Sequence, residues 1–466
     1  MMMRASTAAA ALHAQLRGPD AGFDSVATDS RTLAPRALFV AIKGERFDGH
    51  RFVAQAFAQG AAAAMVQDAA LPDMQAAESP RPLLLVDDTR MALGRLAANW
   101  RAKFSLPLVA LTGSNGKTTV KEMLACILRA ALGEAPAAGA EHSGVLATAG
   151  NLNNDIGMPL TLLRLRARHR YAVIELGMNH TGEISYLSGI ARPGVALVTN
   201  AGHAHLGELG SLEAIARAKG EIYQGLDSGG IALINADDRF APLWRSLNAG
   251  RSILEFGTAK QAQVSGRYVR RGFSSEIVLS TPLGQTHATL GVPGEHNLSN
   301  ALAAAAAAVA LAAPLDAIAA GLQLFPGVAG RLQRKPGLHG AQLLDDTYNA
   351  NPDSAEAAIA VLAQAPGKRL LVLGDMGELG AGAPELHARI GTRARAAGID
   401  RLYTLGQLSE QAARAFGAGA RHFPRIEDLL AAIEIELAPD LTLLVKGSRF
   451  MQMERVVNSF ALEQDA

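Results

Sequence analysis

The chain has 466 residues, and its 44 lysine and arginine side chains nearly balance its 43 aspartate and glutamate side chains. This length exceeds what one compact core usually holds, and the balanced charge excludes a bulk electrostatic field that would attract nucleic acid or an anionic membrane. Cys126 is the single cysteine, which excludes an internal disulfide and a cysteine-based zinc cage and fits a reducing, cytoplasmic compartment.

Two apolar stretches must be distinguished from a signal peptide and from a membrane-spanning helix. Residues 1–12 contain an alanine run, but His13 and Gln15 follow before the apolar core of a signal peptide forms. We therefore predict an ordinary first helix there. Residues 301–313 are too few to cross a bilayer and end at Pro314, so we predict a buried helix packed closely against a sheet and no stable membrane insertion.

Short apolar strands alternate with helices along the chain, which predicts an α/β fold with mostly parallel sheets covered on both faces. Glycine and proline interrupt the helical pattern at residues 324–330, which indicates a linker. We therefore expect three domains, at residues 1–87, 88–328 and 329–466. The predicted strands are 37–42 and 62–66 in the first domain, 108–111, 171–176, 195–199 and 231–234 in the second, and 342–344, 369–373, 401–404 and 442–445 in the third.

A glycine-rich loop follows the first strand of the second domain and leads directly into a predicted helix at residues 120–129. Strand, glycine loop and helix in this order form a phosphate cradle, because backbone N–H groups can turn toward phosphates and the helix N-terminus adds a favourable dipole. Lys117 would supply a positive charge, and Thr118 would offer a hydroxyl to Mg²⁺. The ATP-binding residues expected in the loop are Gly113, Ser114, Asn115, Gly116, Lys117, Thr118 and Thr119.

Four further segments narrow the function. They read TAGNLNNDIGMPLTLL at residues 148–163, AVIELGMNHTGE at 172–183, AKGEIY at 218–223 and LGDMGELG at 373–380. Together with the short glycine loop, they resemble the Mur ligase family from about residue 28 to residue 457. The resemblance implies an ATP-dependent ligase that joins UDP-N-acetylmuramoyl-tripeptide to D-alanyl-D-alanine through an acyl phosphate, in cytoplasmic peptidoglycan precursor synthesis.

The same resemblance implies a small UDP-binding α/β domain, a central P-loop ATPase domain and a C-terminal Rossmann-like domain that binds the dipeptide. It also implies ATP, two Mg²⁺ ions and a carbamate on Lys219, small-molecule substrates, no nucleic-acid partner and a monomer. Glu175 lies at the carboxyl end of an apolar strand, where α/β sheets place ligands. The implied metal ligands are Thr118, Glu175, His205 and Lys219, with His203 as the rival of His205.

The other expected site residues follow from the matched segments. The implied catalytic set is Lys117, Lys219, His205 and Arg331. Further ATP contacts are expected from Asn297, Asn300, Arg331 and Asp346. The UDP substrate is expected at Asp29, Ser30, Arg31, Lys43, Asn151 and Asn154, with Asn153 as an open alternative for the acceptor contact. The dipeptide is expected at Asn349, Lys446, Ser448 and Arg449.

Proteins with other functions would be expected to carry different sequence motifs. A ligase that adds the third stem-peptide residue typically carries an Asp-Asn-Pro-Arg string in its last domain, and the chain has none. Folylpolyglutamate synthase shares the short glycine loop and stays an alternative. A GTPase-like switch should show Asn-Lys-x-Asp, but the chain has no Asn-Lys pair. A catalytically silent nucleotide-binding regulator would not need Glu175, His205, Lys219 and Arg331 together.

Overall fold

The computed structural model describes residues 1–45, 47–68, 81–135, 143–259, 261–271 and 273–462. These residues form one two-stranded sheet and three larger sheets, and each larger sheet is built from a separate stretch of the chain. Among the described residues, no helix is both long and apolar enough to cross a bilayer.

The first region contains the two-stranded sheet and a five-stranded sheet. Its strands are β1 (Met3–Arg4), β2 (Gln15–Arg17), β3 (Gly22–Phe23), β4 (Ser25–Ala27), β5 (Ala37–Val40), β6 (Ala63–Gln67) and β7 (Leu83–Val86). Its helices are α1 (Ala5–Leu12), α2 (Val53–Ala58) and α3 (Thr89–Arg101). The five-stranded order is β2-β7-β6-β5-β4, parallel except between β2 and β7. Strands β5 and β6 match the two predicted strands.

The helix predicted for residues 1–12 begins later than expected. Strand β1 occupies the start and pairs antiparallel with β3, and α1 begins only at Ala5. The Asp20 carboxylate accepts a hydrogen bond from the Ser6 backbone N–H at 3.0 Å, which satisfies a free donor in the first turn of the helix. The prediction was therefore wrong for the first residues, because the start of the helix is set by a residue outside the segment.

The central region forms a nine-stranded sheet. Its strands are β8 (Leu108–Thr112), β9 (Val145–Ala147), β10 (Tyr171–Glu175), β11 (Val195–Val198), β12 (Ile231–Asn235), β13 (Ser252–Gly257), β14 (Val264–Arg271), β15 (Ser274–Thr281) and β16 (Gly284–Leu290). The order is β16-β15-β14-β13-β12-β11-β8-β10-β9. Strands β8 to β13 are parallel, as expected for the four predicted strands β8, β10, β11 and β12. Strands β9 and β13 were not predicted, nor was the antiparallel extension formed by β14 to β16. The loops within this extension are short, which suits only antiparallel neighbours.

Helices cover both faces of the central sheet. They are α4 (Lys117–Ala131), α5 (Gly157–Leu162), α6 (Glu183–Ala191), α7 (Leu206–Leu209), α8 (Leu212–Gly220), α9 (Ala241–Leu247), α10 (His296–Ala310) and α11 (Leu315–Gln323). Leu108 and Ala110 of β8 share one core with α3 and α6. Val109 and Leu111, which point to the other face, share a second core with α4, α10 and α11. The buried helix predicted at residues 301–313 is α10, whose alanines lie in this second core.

The third region forms a six-stranded sheet. Its strands are β17 (Gln333–Pro336), β18 (Gln342–Asp346), β19 (Lys368–Gly374), β20 (Arg401–Leu405), β21 (Ala420–Phe423) and β22 (Leu441–Lys446). Its helices are α12 (Pro352–Leu362), α13 (Ala383–Ala396), α14 (Glu410–Phe416), α15 (Ile426–Glu434) and α16 (Glu454–Phe460). The order is β17-β18-β22-β19-β20-β21, and only β17 and β18 pair antiparallel. All four strands predicted here are present, each slightly longer than expected.

Gly321 lies on α11 where this helix packs against α4, and a β-carbon there would overlap the backbone of Ile127. We expect Gly321→Ala to lower the free energy of unfolding by about 2 kcal/mol, a usual cost of overpacking a close contact. Denaturant unfolding followed by circular dichroism measures this change.

Gly189→Ala is the matched control, because Gly189 lies in α6 and a β-carbon there meets no atom within 4 Å. At this exposed helical position alanine should raise the free energy of unfolding by about 0.5–1 kcal/mol. Equal destabilisation of the two variants would contradict the close-packing account of Gly321.

Candidate active site

The glycine loop joins β8 to α4 at the carboxyl edge of the parallel strands. Gly113 and Gly116 have φ angles of 153° and 83°, which favour glycine. A β-carbon on Gly113 would overlap Thr199 Oγ1, and a β-carbon on Gly116 would overlap Asn300 Oδ1. Both glycines are therefore needed for the backbone conformation and for the close approach of neighbouring side chains.

Two residues that the sequence analysis missed hold this loop in place. The Ser114 N–H donates to the Asn200 carbonyl at 3.0 Å, and the Asn115 N–H donates to Asn200 Oδ1 at 2.9 Å. Thr199 Oγ1 donates to the Asn115 carbonyl at 2.7 Å. Thr199 and Asn200 directly follow β11, which pairs with β8. A polar pair directly after the next strand was the signal that could have revealed them.

Two enclosed lysines lie near the loop. Lys117 Nζ donates a hydrogen bond to the Gly113 carbonyl at 2.6 Å. Part of its side chain reaches solvent, but the surrounding protein lowers its pKa, and the charge of Glu175 partly opposes this shift. Lys219 on α8 is fully buried, and burial and then the charge of Lys117 lower its pKa well below the ordinary value. The site therefore favours a neutral amine at Lys219.

Glu175 ends β10, directly beside β8. Its backbone N–H donates to Thr148 Oγ1 at 2.9 Å, and its Oε1 accepts a hydrogen bond from Asn153 Nδ2 at 2.8 Å. Its Oε2 is buried and has no hydrogen-bond partner among the described residues. Because such an oxygen is costly without a partner, it is suited to ligate a cation. Asn153, which the sequence left as an alternative acceptor contact, thus orients this carboxylate.

Thr118 and Thr119 lie in the first turn of α4, where both are buried. Thr118 Oγ1 accepts a hydrogen bond from Arg331 Nη2 at 2.9 Å, and the Arg331 guanidinium lies over the Tyr348 ring at 4.3 Å. The Thr118 hydroxyl and the free Glu175 oxygen are hard donors that suit Mg²⁺. No group of three or more histidine, cysteine, aspartate or glutamate side chains that could hold a metal ion occurs in the described part of the chain.

Lys121, one turn further along α4, is fully buried. Its Nζ donates to the Thr148 carbonyl at 2.5 Å and lies 2.7 Å from Glu122 Oε1. Since the Thr148 hydroxyl accepts from the backbone of Glu175, Lys121 anchors the segment that positions this carboxylate. The sequence pattern did not single out Lys121, because a lysine near the start of a helix usually faces solvent.

The third region also contacts the loop and the segment after β11. Asn351 Nδ2 donates to Asn115 Oδ1 at 2.8 Å. His203 donates through its backbone N–H to Asp353 Oδ2 at 2.8 Å, and its Nδ1 lies 2.8 Å from Asp353 Oδ1. Asp353 was not predicted as a site residue. It holds His203, which the sequence left as the rival of His205.

His205 has a different neighbour in the third region. Its Nδ1 lies 2.9 Å from Glu378 Oε2, within ion-pair distance but poorly aligned for a hydrogen bond. The Gly207 backbone N–H donates to the Glu378 carbonyl at 3.0 Å. Glu378 lies in the LGDMGELG segment, but its contact with His205 could not be read from the sequence.

The asparagines expected at the nucleotide are buried on one face of α10. Asn300 Nδ2 donates to Asn297 Oδ1 at 2.9 Å, and Asn297 Nδ2 donates to the Pro293 carbonyl at 2.7 Å. Asn300 Oδ1 faces Gly116 of the loop. Burial, with a smaller effect of the Lys446 charge, lowers the pKa of neighbouring His296 to about 4.

Two residues expected to bind different substrates pair with each other. Lys446 Nζ donates to Asp346 Oδ2 at 2.6 Å and to the Asn349 carbonyl at 2.9 Å. Both ionic groups are buried, and burial raises the pKa of Asp346 although Lys446 opposes the shift. Asp346, expected to contact ATP, and Lys446, expected to contact the dipeptide, therefore bind each other in this structure.

Ser448 and Arg449, two other residues expected to bind the dipeptide, differ in burial. Ser448 is buried, and its Oγ donates to the Ala350 carbonyl at 3.1 Å and accepts from the Gly377 N–H at 2.8 Å. Arg449 is exposed and pairs with Glu454 at 2.9 Å. Arg449 is thus the member of this set whose charge faces solvent.

The residues expected at the UDP substrate lie in two places. Arg31 donates from its guanidinium to Asp29 at 2.7 Å and 3.0 Å, which lowers the pKa of Asp29 to about 2. Ser30, which lies between these two residues in the sequence, is buried. Lys43 is exposed. Arg46, which is close to Lys43 in the sequence, lies outside the residues that the structure describes.

Asn151 and Asn154 belong to the central region and follow β9. Asn151 is exposed, whereas Asn154 Oδ1 accepts a hydrogen bond from the Gly157 N–H at 2.8 Å. The Asn154 side chain is therefore engaged with the backbone at the start of α5.

Family models match three successive stretches of the chain. The model described as "Mur ligase family, catalytic domain" matches residues 23–101. The "Mur ligase middle domain" matches residues 111–308, and the "Mur ligase, glutamate ligase domain" matches residues 330–449. The UDP-N-acetylmuramoyl-tripeptide–D-alanyl-D-alanine ligase of Escherichia coli (strain K12) is 45% identical over 452 residues, which cover 96% of each chain. The chain belongs to the Mur ligase family. A ligase of the same name from Bacillus subtilis (strain 168) is 36% identical and covers 93% of this Mur ligase and 92% of its own length.

Solved structures agree with the family. MurF from Acinetobacter baumannii superposes with a TM-score of 0.87 at 36% identity and covers 98% of both chains. The MurF ligase from Thermotoga maritima in complex with ADP has a TM-score of 0.81 at 28% identity and covers 93% of this chain and 96% of its own. A folylpolyglutamate synthase from Mycobacterium tuberculosis, at 18% identity and a TM-score of 0.63, shares the fold alone. This chain thus has the three-domain α/β fold of Mur ligases.

The buried Lys121 gives a prediction on the stability of this Mur ligase. Lys121→Met should lower the free energy of unfolding by about 2 kcal/mol, because it removes a charged hydrogen bond to the Thr148 carbonyl and an ion pair with Glu122. Lys368→Met, at an exposed lysine, is the control and should change it by less than about 0.5 kcal/mol. Denaturant titration of both variants checks this, and a silent Lys121→Met would show that Lys121 anchors nothing.

Proposed function

We propose that this Mur ligase joins UDP-N-acetylmuramoyl-tripeptide to D-alanyl-D-alanine, with cleavage of ATP, in peptidoglycan precursor synthesis. The observation that carries the proposal is the 45% identity to the Escherichia coli ligase of that name along 96% of both chains. The glycine loop with Lys117, Glu175 and Arg331 gives this identity a chemical basis, because phosphoryl transfer needs such groups around ATP. Folylpolyglutamate synthase is not favoured, because its structure shares only the fold.

The reaction needs ATP because a free carboxylate has no leaving group that an amine can displace. A carboxylate oxygen of the tripeptide attacks the γ-phosphorus of ATP, ADP leaves, and an acyl phosphate forms. The amine of D-alanyl-D-alanine then attacks the acyl carbon and loses a proton. The tetrahedral oxyanion collapses to the amide as the bond to phosphate breaks. The protein must align these groups and neutralise their charge more than react itself.

The residues of the glycine loop fit the first step. Lys117 and the backbone N–H groups at the start of α4 would hold the β- and γ-phosphates. Arg331, already in contact with Thr118, would add a second cation from the third region. When bound, Mg²⁺ would supply positive charge to the phosphate oxygens, and the residues proposed to hold it are Thr118, Glu175, His205 and Lys219.

Lys219 would act as a carbamate. Carbon dioxide reacts only with a neutral amine, and burial beside Lys117 lowers the pKa of Lys219 in the required direction. The product exchanges a cation for a carboxylate-like oxygen, which Mg²⁺ prefers.

We also propose a division of substrates among the domains, residues 1–87 for UDP, 88–328 for ATP and 329–466 for the dipeptide. Asp29, Ser30, Arg31, Lys43, Asn151 and Asn154 would bind the UDP substrate. Asn297, Asn300 and Asp346 would face the nucleoside, and Asn349, Lys446, Ser448 and Arg449 the dipeptide. The Lys446–Asp346 pair would then have to open when both substrates bind. The enzyme would work as a cytoplasmic monomer.

Phosphate release measured with each component omitted in turn tests the function. We expect release only when ATP, Mg²⁺, UDP-N-acetylmuramoyl-tripeptide and D-alanyl-D-alanine are all present. In the same assay Lys117→Ala should lose about a hundredfold or more in rate, because it removes a preorganised, positively charged hydrogen-bond donor to the phosphates of ATP. Its circular dichroism spectrum should match the parent. Release without the dipeptide at the full rate, or turnover of Lys117→Ala within a few-fold of the parent, would contradict the proposal.

Lys219→Ala separates the carbamate from a structural lysine. We expect it to lose most of the activity, and acetate should restore part of it by placing a carboxylate in the vacated space. Lys117→Ala is the control, since acetate cannot replace a lost ammonium there. Full activity of Lys219→Ala without acetate would exclude the carbamate.

A further inference from the structure

Glu378 contacts the His205 segment in two ways. Its side chain, 56% exposed, reaches from the third region to within 2.9 Å of His205 Nδ1. Its backbone carbonyl accepts a hydrogen bond from the Gly207 N–H at 3.0 Å. Both contacts cross between the third and central regions, and both fall on the segment that follows β11.

The backbone at this contact is strained on both sides. Glu378 has a φ of 63° and His205 a φ of 62°, in the left-handed region that disfavours side chains with a β-carbon. Glycine would relax this strain, and the chain has glycine at the adjacent Gly377. Strained non-glycine residues cluster where the side chain has a function. The backbone conformation at position 378 favours glycine and therefore does not explain why a glutamate is present there.

The two segments meet backbone to backbone. A β-carbon on Gly207 would lie 2.8 Å from the Gly380 nitrogen, and a β-carbon on Gly380 would lie 3.1 Å from Gly207 Cα. Such an approach is possible only between glycines. The distance between Glu378 and His205 is therefore set by the main chains when the third region is docked.

We propose that Glu378 is a positioning residue for the ligase reaction, whose carboxylate orients His205 when the third region docks on the central region. The proposal rests on the proposed function. With Nδ1 turned to the carboxylate, His205 carries its proton on Nδ1 and keeps the Nε2 lone pair for a metal ion, as in other carboxylate–histidine pairs. The poor alignment in the present structure fits a pair that tightens only with substrates bound. Docking of the third region on the central region would thereby fix the orientation of His205 as a metal ligand.

Glu378→Gly is the decisive variant, because it removes the carboxylate and relieves the left-handed strain together. We expect its thermal unfolding midpoint to stay equal to the parent's or to rise by a few degrees. We expect its kcat to fall about 10- to 100-fold, the usual cost of losing such a partner, with the KM for ATP nearly unchanged. Glu378→Gln should keep more activity, because it retains an acceptor oxygen, and Glu434→Gln on α15 should match the parent.

A second measurement does not depend on turnover. With a non-hydrolysable ATP analogue bound, the Mg²⁺ concentration that gives half of the thermal shift should rise several-fold in Glu378→Gly. Unchanged kcat and unchanged Mg²⁺ dependence would overturn the proposal, as would a loss of kcat matched by a lower unfolding midpoint. If the parent itself releases no phosphate with the proposed substrates, the proposed function fails, and the Mg²⁺ titration alone decides whether Glu378 acts on His205.

Discussion

The close approach of side chains to the glycine loop is the constraint on which the rest of the site depends. Gly113 and Gly116 leave no room for a β-carbon, because Thr199 and Asn300 occupy that space. The loop is therefore held from β11 on one side and from α10 on the other. The backbone N–H groups at the start of α4 are thereby held in place for a phosphate, which lowers the reorganisation needed on binding. Arg331 and Asn351 of the third region also contact this loop, at Thr118 and Asn115.

The buried charged groups of the site differ in whether a neighbouring group of opposite charge compensates them. Lys121 and Lys446 are buried with ionic partners, Glu122 and Asp346, and hydrogen bonds to backbone carbonyls complete their environment. Glu175 instead has a buried oxygen without a partner among the described residues, and the pKa of Lys219 is lowered by burial and by a like charge. An uncompensated buried charge is costly in an isolated protein. Its presence beside a phosphate-binding loop is explained if ligands complete the arrangement.

Local features of the site could be predicted from the sequence, and contacts between distant segments could not. The order of strand, glycine loop and helix is contained in one short stretch, so β8 and α4 were expected correctly. Asp346 and Lys446 were each expected at a strand end. Their pairing depends on β18 and β22 being neighbours in register, which no spacing rule gives. The start of α1 was missed for the same reason, since Asp20 fixes it from outside the helix.

The packing of α4 connects the glycine loop to the core of the central region. This helix has 15 residues and is about 22 Å long, and α10 and α11 pack against it. Gly321 of α11 lies against Ile127 of α4, so the contact between these two helices helps to fix the position of the helix that carries Lys117. The alanine run of α10 looks like the least informative part of the sequence. Its side chains are nevertheless restricted in size by the close packing of α10 against α4, the helix whose first turn carries Lys117.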